Sequence, residues 1–237
     1  MNEPVLLEAK SLCAWYGAAQ ILFDVDLEVR RGEVVALMGR NGAGKSTTLK
    51  ALIGMLARRR GAVRFLGHDI SKSEPHVAAR LGLGFVPEDR RIFTDLTVLE
   101  NLDVGRRAAH GGAAWTPERL LRLFPNLAEM GERSGGRMSG GEQQMLSVAR
   151  TLMGNPRLVL LDEPSEGVAP IVVERMAEAI VEMKKLGLSV LLSEQNLHFA
   201  ALVSDRVYIL ERGHISWSGA MRELETSADV QRQFLGV

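Results

Sequence analysis

The chain of 237 residues contains a single cysteine, Cys13. That excludes an internal disulfide and fits a reducing compartment. Cys13 stands among strand-like residues and reads as a small buried apolar residue, not a reactive thiol. An excess of one charge sign is also lacking: Lys+Arg and Asp+Glu stand at 29 each. No bulk field therefore recruits nucleic acid or an anionic membrane. No apolar run approaches the ~18 residues needed to cross a bilayer. The start, MNEPVLLEAK, has neither the basic residues nor the apolar stretch of a signal peptide. The expectation is a cytosolic protein whose membrane role runs through partners. Internal repeats, low-complexity tracts and heptad runs are absent as well.

What is present is an ordinary globular composition, 46% apolar and 24% charged, enough for one core with a small second lobe. Residues 5–37 read as short strands around a turn at Tyr16–Ala19. Leu22, Val25, Leu27 and Val29 partly alternate with Asp24, Asp26 and Glu28, the pattern of an antiparallel sheet exposed on one side. Gly32–Glu33 marks a turn before VVALM (Val34–Met38). This unbroken apolar run suits a strand covered on both faces, as do LVLL (Leu158–Leu161) and the run before Gln195. Helical segments separate these runs, which implies an α/β core with a mainly parallel sheet.

Between Pro87 and Arg137 the texture changes. Leu96, Leu99, Leu102 and then Leu120, Leu121, Leu123 and Phe124 recur at helical spacing. Asn126 and Gly131 read as helix punctuation, and Gly111–Gly112 and Gly135–Gly136 as flexible joints. The expected organisation is one domain over 1–237. Its core comprises 1–87, with an antiparallel β part, and 138–237; an inserted helical lobe spans 88–137. Arg58–Arg60 read as a solvated charged turn.

VVALM runs directly into GRNGAGKST (Gly39–Thr47), a G-x-x-x-x-G-K-S pattern followed by Leu49, Leu52, Ile53 and Leu56 on one helical face. Gly39, Gly42 and Gly44 let backbone N–H groups turn inward around phosphate oxygens. Lys45 reaches the β- and γ-phosphates, and Ser46 offers its hydroxyl to Mg²⁺. The helix dipole adds to the attraction. The bare pattern arises by chance in about one chain in a hundred of this size, and the flanking strand and helix lower that further. In LVLLDEP (Leu158–Pro164) a buried strand ends in Asp162, placed to hold Mg²⁺. Glu163 follows, placed to orient or deprotonate the attacking water.

MSGGEQQ (Met138–Gln144) contains a capping box, Ser139 with Glu142, before an apolar helical face of Met145, Val148, Ala149 and Leu152. Capping alone does not account for two adjacent glycines, which cost backbone entropy. They would allow a phosphate to approach bare N–H groups.

The order GRNGAGKS, MSGGEQQ, LVLLDEP resembles the ATP-binding subunits of ABC transporters over essentially the whole chain. The resemblance implies a P-loop NTPase (RecA-like) core, an N-terminal antiparallel β subdomain and an inserted helical subdomain. It implies that two subunits pack head to tail around ATP and Mg²⁺. Gly39, Arg40, Asn41, Gly42, Ala43, Gly44, Lys45, Ser46 and Thr47 would hold one nucleotide, and the partner's Ser139, Gly140, Gly141 and Glu142 would close over it. Tyr16 corresponds to the aromatic that stacks on adenine. Glu88, in FVPEDRRIF (Phe85–Phe93), stands where many relatives have glutamine and could reach Mg²⁺ or the attacking water. In SEGVAP (Ser165–Pro170), Ala169 replaces the aspartate of many relatives. Gln195, in LLSEQN, stands where a histidine is expected, and His198 three residues on would point elsewhere around a helix.

VPEDRRIF, MSGGEQQML, DEPSEGVAP and SEQN together resemble one of the two ATPases of bacterial branched-chain amino acid importers, where Glu88 and Gln195 would be usual. That implies a second ATPase subunit, two membrane permeases and an external substrate-binding protein, with the chain peripheral on the cytoplasmic face of the inner membrane. The loop with Arg90, Arg91 and Phe93 would feel the docking. Alternatives are a urea or amide importer ATPase, and a soluble ABC ATPase acting on nucleic acid; with zero formal net charge, nucleic acid is not expected. A neutral amide at Gln195 can donate to a γ-phosphate oxygen but carries no titrating charge. Gln195→His is therefore expected to raise the ATPase rate, and a steady-state assay giving an unchanged rate would count against that role.

Overall fold

The computed structural model describes residues 3–108 and 114–235. Among these the strands form two sheets. In the first, β1 (Val5–Tyr16) and β2 (Ala19–Arg30) make a hairpin through Gly17, and β4 (Arg58–Phe65) and β5 (His68–Asp69) extend it antiparallel in the order β2-β1-β4-β5. Along β2, Val25, Leu27 and Val29 are buried while Asp24 and Asp26 are exposed, as the alternation requires.

The second sheet runs β10-β9-β3-β8-β7-β6. Here β3 (Val34–Met38), β6 (Leu83–Val86), β7 (Leu158–Asp162), β8 (Ser189–Glu194) and β9 (Arg206–Glu211) are parallel. Only β10 (His214–Ala220), on the edge, runs antiparallel to its neighbour. Alternate residues of β3 enter opposite hydrophobic clusters. Val34, Ala36 and Met38 pack toward α6 (Gly140–Leu152), α7 (Pro170–Lys185) and α8 (Leu197–Val203). Val35 and Leu37 pack toward α1 (Lys45–Leu52) and the antiparallel sheet. Covering on both faces is why these strands read as unbroken apolar runs. Cys13 is buried in the antiparallel sheet.

Helix α2 (Pro75–Leu81) precedes β6; α3 (Val98–Gly105), α4 (Pro117–Leu123) and α5 (Pro125–Ala128) lie between β6 and α6. The spacing of Leu96, Leu99 and Leu102 misplaced the start of α3. Thr97 begins it with a capping box to Glu100, Leu96 lies outside, Leu99 is exposed, and Val98, Asn101 and Leu102 face inward. Asn126 falls within α5 rather than punctuating it. Gly135–Gly136 is no flexible joint. Both amides donate, to Leu96 O and Thr94 O, and a Cβ on Gly135 would stand 2.9 Å from Phe93 O. Gly111–Gly112 lies outside the described residues.

Arg58–Arg60 are not a solvated turn but the first residues of β4. The Arg59 guanidinium donates to four backbone carbonyls, Ser71, Gly54, Leu56 and Ser73, and staples the end of α1 to the turn after β5. Arg58 lies over the Trp15 ring and Arg60 contacts Cys13 Sγ. A run of arginines cannot by itself reveal which one finds carbonyls. At the C-terminal end, α9 (Met221–Thr226) and α10 (Ala228–Val230) lead into a wide helical turn, Gln231–Leu235, with Val230 and Phe234 against the larger cluster.

The cap position before helix α7 is Ala169, whose side chain cannot cap it, and Pro170 takes the first helical position. Ala169→Asp is expected to stabilise the fold by about 1 kcal/mol. The check is thermal unfolding, where a rise of roughly 2–4 °C is expected for a chain of this size.

Candidate functional site

Strand β3 ends at Met38 and the chain turns sharply at Gly39, whose φ is 155°. A Cβ there would lie 2.3 Å from Leu210 O, so only glycine lets the loop pass β9. The loop closes at Gly44 (φ 111°), which starts α1 with no side-chain cap and no acid in the first turn. The first amides of α1 are therefore left for an anion.

Lys45 is only 3% exposed. Its ammonium donates to Gly39 O (2.8 Å) and Arg40 O (3.3 Å) and pairs with Glu163 Oε1 at 3.0 Å. Glu163 is itself 6% exposed and holds a left-handed backbone, φ 47°. For a residue with a Cβ that costs on the order of 1–3 kcal/mol, so its surroundings must over-determine it. They do: its N–H donates to Ser193 O (3.2 Å) and Ser193 Oγ (3.0 Å), and its second oxygen accepts from Gln195 Nε2 at 3.4 Å. Asp162, buried, accepts from Ser193 Oγ at 2.7 Å through Oδ1. The parallel register of β3, β8 and β7 thus gathers Lys45, Asp162, Glu163 and Gln195 at the strands' carboxyl ends. Gly39, Arg40, Asn41 and Gln195 line a cavity of about 330 Å³ beside them.

Glu166 joins this group although the sequence reasoning passed over it. Its carboxyl is pushed up to about 7, chiefly by a hydrogen bond shared with Glu163, then by burial and by the charges of Glu163 and Glu88, with Lys45 opposing. That influence also puts Glu88, exposed just after β6, near the acids. Ser193 and Glu194 were likewise missed. Polar residues closing an apolar strand were the available signal, since a buried polar group must have partners. Burial pushes Glu194 up, while donors from Ser165, Asn196 and Gln195 oppose.

The loop after Pro87 is built rather than solvated. Arg90 and Arg91 both adopt positive φ, 62° and 48°. Their carbonyls accept from Ser147 Oγ (2.6 Å) and Arg150 Nη2 (2.6 Å) on α6, and the Arg91–Asp89 ion pair faces solvent. Ser139 caps α6 with Glu142 as expected. The two glycines after it have an intramolecular reason as well. A Cβ on Gly141 would stand 2.6 Å from Val172 of α7, and one on Gly140 2.7 Å from the Arg90 guanidinium. Among the described residues, Ser139–Glu142 do not join the Lys45–Glu163 group. Tyr16 is 48% exposed at the hairpin tip, and His198 is exposed on α8.

Residues 22–166 match the family model described as ABC transporter. The chain is 40% identical over 232 residues to the high-affinity branched-chain amino acid transport ATP-binding protein BraG of Pseudomonas aeruginosa, covering 98% of this chain and 100% of that one. It is 35% identical over 234 residues to the lipopolysaccharide export system ATP-binding protein LptB of Escherichia coli, covering 97% of each. The crystal structure of a nucleotide-free ATP-binding cassette from an ABC transporter superposes with a TM-score of 0.82 at 26% identity, covering 96% of this chain and 97% of that one.

The Glu166 carboxyl keeps its proton in the fold up to about pH 7, whereas an unfolded glutamate releases it near 4.5. Between those values the folded chain binds more protons, so this contribution is fully present below about pH 4.5 and is lost as pH rises through 7. Glu166→Gln cannot titrate. Its melting temperature relative to the parent is expected to rise from pH 5 to about pH 7 and then level off; a constant difference in scans from pH 5 to pH 8 would contradict the assignment.

Proposed function

The chain belongs to the ABC transporter ATP-binding family and is an ATPase, and from that premise we propose that it powers the import of branched-chain amino acids. One juxtaposition carries the mechanism: Lys45, Glu163 and Gln195 meet at the ends of adjacent parallel strands. ATP places its phosphates in Gly39–Thr47, and Lys45 turns from Glu163 to the β- and γ-phosphates. Glu163, released from the ammonium, orients the attacking water. Gln195 donates its amide N–H to a γ-phosphate oxygen.

Mg²⁺ requires hard oxygen donors. Ser46 and Asp162 would supply them: the Asp162 bond from Ser193 uses Oδ1, and Oδ2 would be left for the metal. When bound, the ion would neutralise phosphate charge, and Glu88 would serve it, or the water, from the loop. Tyr16, exposed at its hairpin, offers a face for adenine. Ser139, Gly140, Gly141 and Glu142 serve the ATP of a second subunit, so the working unit is a head-to-tail dimer, in the cell a heterodimer with a similar ATPase.

Among the described residues no helix is long and apolar enough to cross a membrane. The likeness to transporter ATP-binding proteins supports a peripheral place on the cytoplasmic face of the inner membrane, beneath two permeases. A groove of about 510 Å³ lined by Met55, Phe85, Phe93, Val104, Arg150 and Pro156 suits a permease segment, with Phe93 47% exposed at its rim. An external binding protein delivers the substrate. The amino-acid assignment is supported by the 40% identity to BraG. The 35% identity to LptB favours a second reading, lipopolysaccharide export. A urea or amide importer shares the motifs quoted above, and zero formal net charge disfavours a nucleic-acid partner.

Glu163→Gln is expected to bind ATP with near-parental affinity while turnover falls by ~10²-fold or more. In cells lacking the gene, the parent chain should restore uptake of radiolabelled leucine and Glu163→Gln should not. Normal uptake in those cells, with lipopolysaccharide missing from the outer surface, would establish the second reading instead.

A further inference from the structure

Strand β8 closes with Glu194, a carboxylate only 1% exposed, and a buried carboxylate needs its lone pairs filled. The groups that fill them are backbone amides from two different loops, joined by the Ser165 hydroxyl. Oε1 accepts from Ser165 N at 3.0 Å, two residues beyond Glu163. Oε2 accepts from Gln195 N (3.1 Å) and Asn196 N (3.2 Å), at the start of α8. The two loops leave adjacent strands, and their side chains meet again where Gln195 Nε2 reaches Glu163 Oε2. The preceding residue acts in parallel, since Ser193 Oγ binds both the Asp162 carboxylate and the Glu163 amide.

Ending a strand does not require such a group. A hydroxyl could satisfy one amide, and an apolar residue would cost nothing in desolvation. What a charged, forked acceptor adds is a span: one rigid plane joins residue 165 to residues 195 and 196. Glu163 holds a left-handed backbone and Gln195 is exposed, so neither is set by its own local preference. We propose that Glu194 is a positioning residue for hydrolysis: its carboxylate locks the segment after Glu163 to the segment carrying Gln195, so that both side chains address the γ-phosphate in one register. This rests on the reading of Glu163 as the group that orients water. It assigns Glu194 no contact with nucleotide.

Glu194→Gln keeps the volume but turns an amide donor against backbone donors on one side, releasing one of the two loops. Glu194→Asp keeps the charge but is a methylene too short to span both. Each is expected to lower kcat for Mg-ATP hydrolysis by the full chain ~10–100-fold, the usual scale for groups supporting a site from behind. The KM for ATP and the number of ATP-binding sites per chain should stay at parental values. In a Gln195→Ala background the loss from Glu194→Gln should shrink, because part of the effect runs through Gln195. A folded Glu194→Gln chain with parental kcat overturns the proposal, as does a loss carried by KM. If Glu194→Gln does not fold, Glu194→Asp decides on the same criteria, and failure of both to fold makes the role purely structural and also overturns it. Glu163→Gln, assayed alongside, separates the two readings. Turnover retained there removes the reading of Glu163, whereas a normal Glu194→Gln beside an inactive Glu163→Gln removes only the positioning role.

Discussion

A lysine ammonium and a glutamate carboxylate, both buried, stand 3.0 Å apart where β3 and β7 end. Neither charge could occupy this position without the other. Stripping one partner from a buried pair costs on the order of 3–5 kcal/mol, because the remaining charge has lost its water. The pair therefore constrains everything attached to it. Through Lys45 it holds the carbonyls of Gly39 and Arg40 and so the shape of the phosphate loop. Through Glu163 it holds a left-handed backbone that its sequence would not choose. The other Glu163 oxygen engages Gln195. On the proposed mechanism an incoming phosphate would compete for the same ammonium, making nucleotide arrival and release of the carboxylate a single event.

The second constraint is the junction between the helices that follow β6 and the sheet. Arg90 and Arg91, in strained backbone, are fastened by their carbonyls to Ser147 and Arg150 of α6, the helix that starts at Ser139. Gly141 packs against Val172 of α7, and Gly135 is pinned beneath Phe93. A displacement of the Phe93 rim would thus reach α6 through two short hydrogen bonds. This gives the proposed permease groove a physical route to the segment that would close over a neighbour's ATP.

Much of this is legible in the sequence alone. Runs such as VVALM and LVLLD announce strands covered on both faces, and glycine spacing before a lysine announces a phosphate cradle, because few other arrangements satisfy those residues. The capping box at Ser139 was equally readable. What stayed hidden depends on partners distant in sequence. Arg59 finds four carbonyls across two turns, Ser193 and Glu194 bind residues about thirty positions away, and Glu166, raised chiefly by nearby Glu163, also feels the charge of Glu88 in a different loop. Gly140 and Gly141 were assigned to phosphate approach alone, yet their Cβ positions are filled by Arg90 and Val172. A pattern can report that a residue is unusual; the fold decides what it touches.

The most direct test of the central claim is a crystal structure of the chain with Mg²⁺ and a non-hydrolysable ATP analogue, from which the Lys45 Nζ to Glu163 Oε1 distance is read. Here that distance is 3.0 Å. The account predicts that it opens beyond ion-pair reach, about 4 Å, with Lys45 on the β- and γ-phosphates and Glu163 facing the γ-phosphate beside Gln195. An intact Lys45–Glu163 pair with the phosphates fully bound would contradict it.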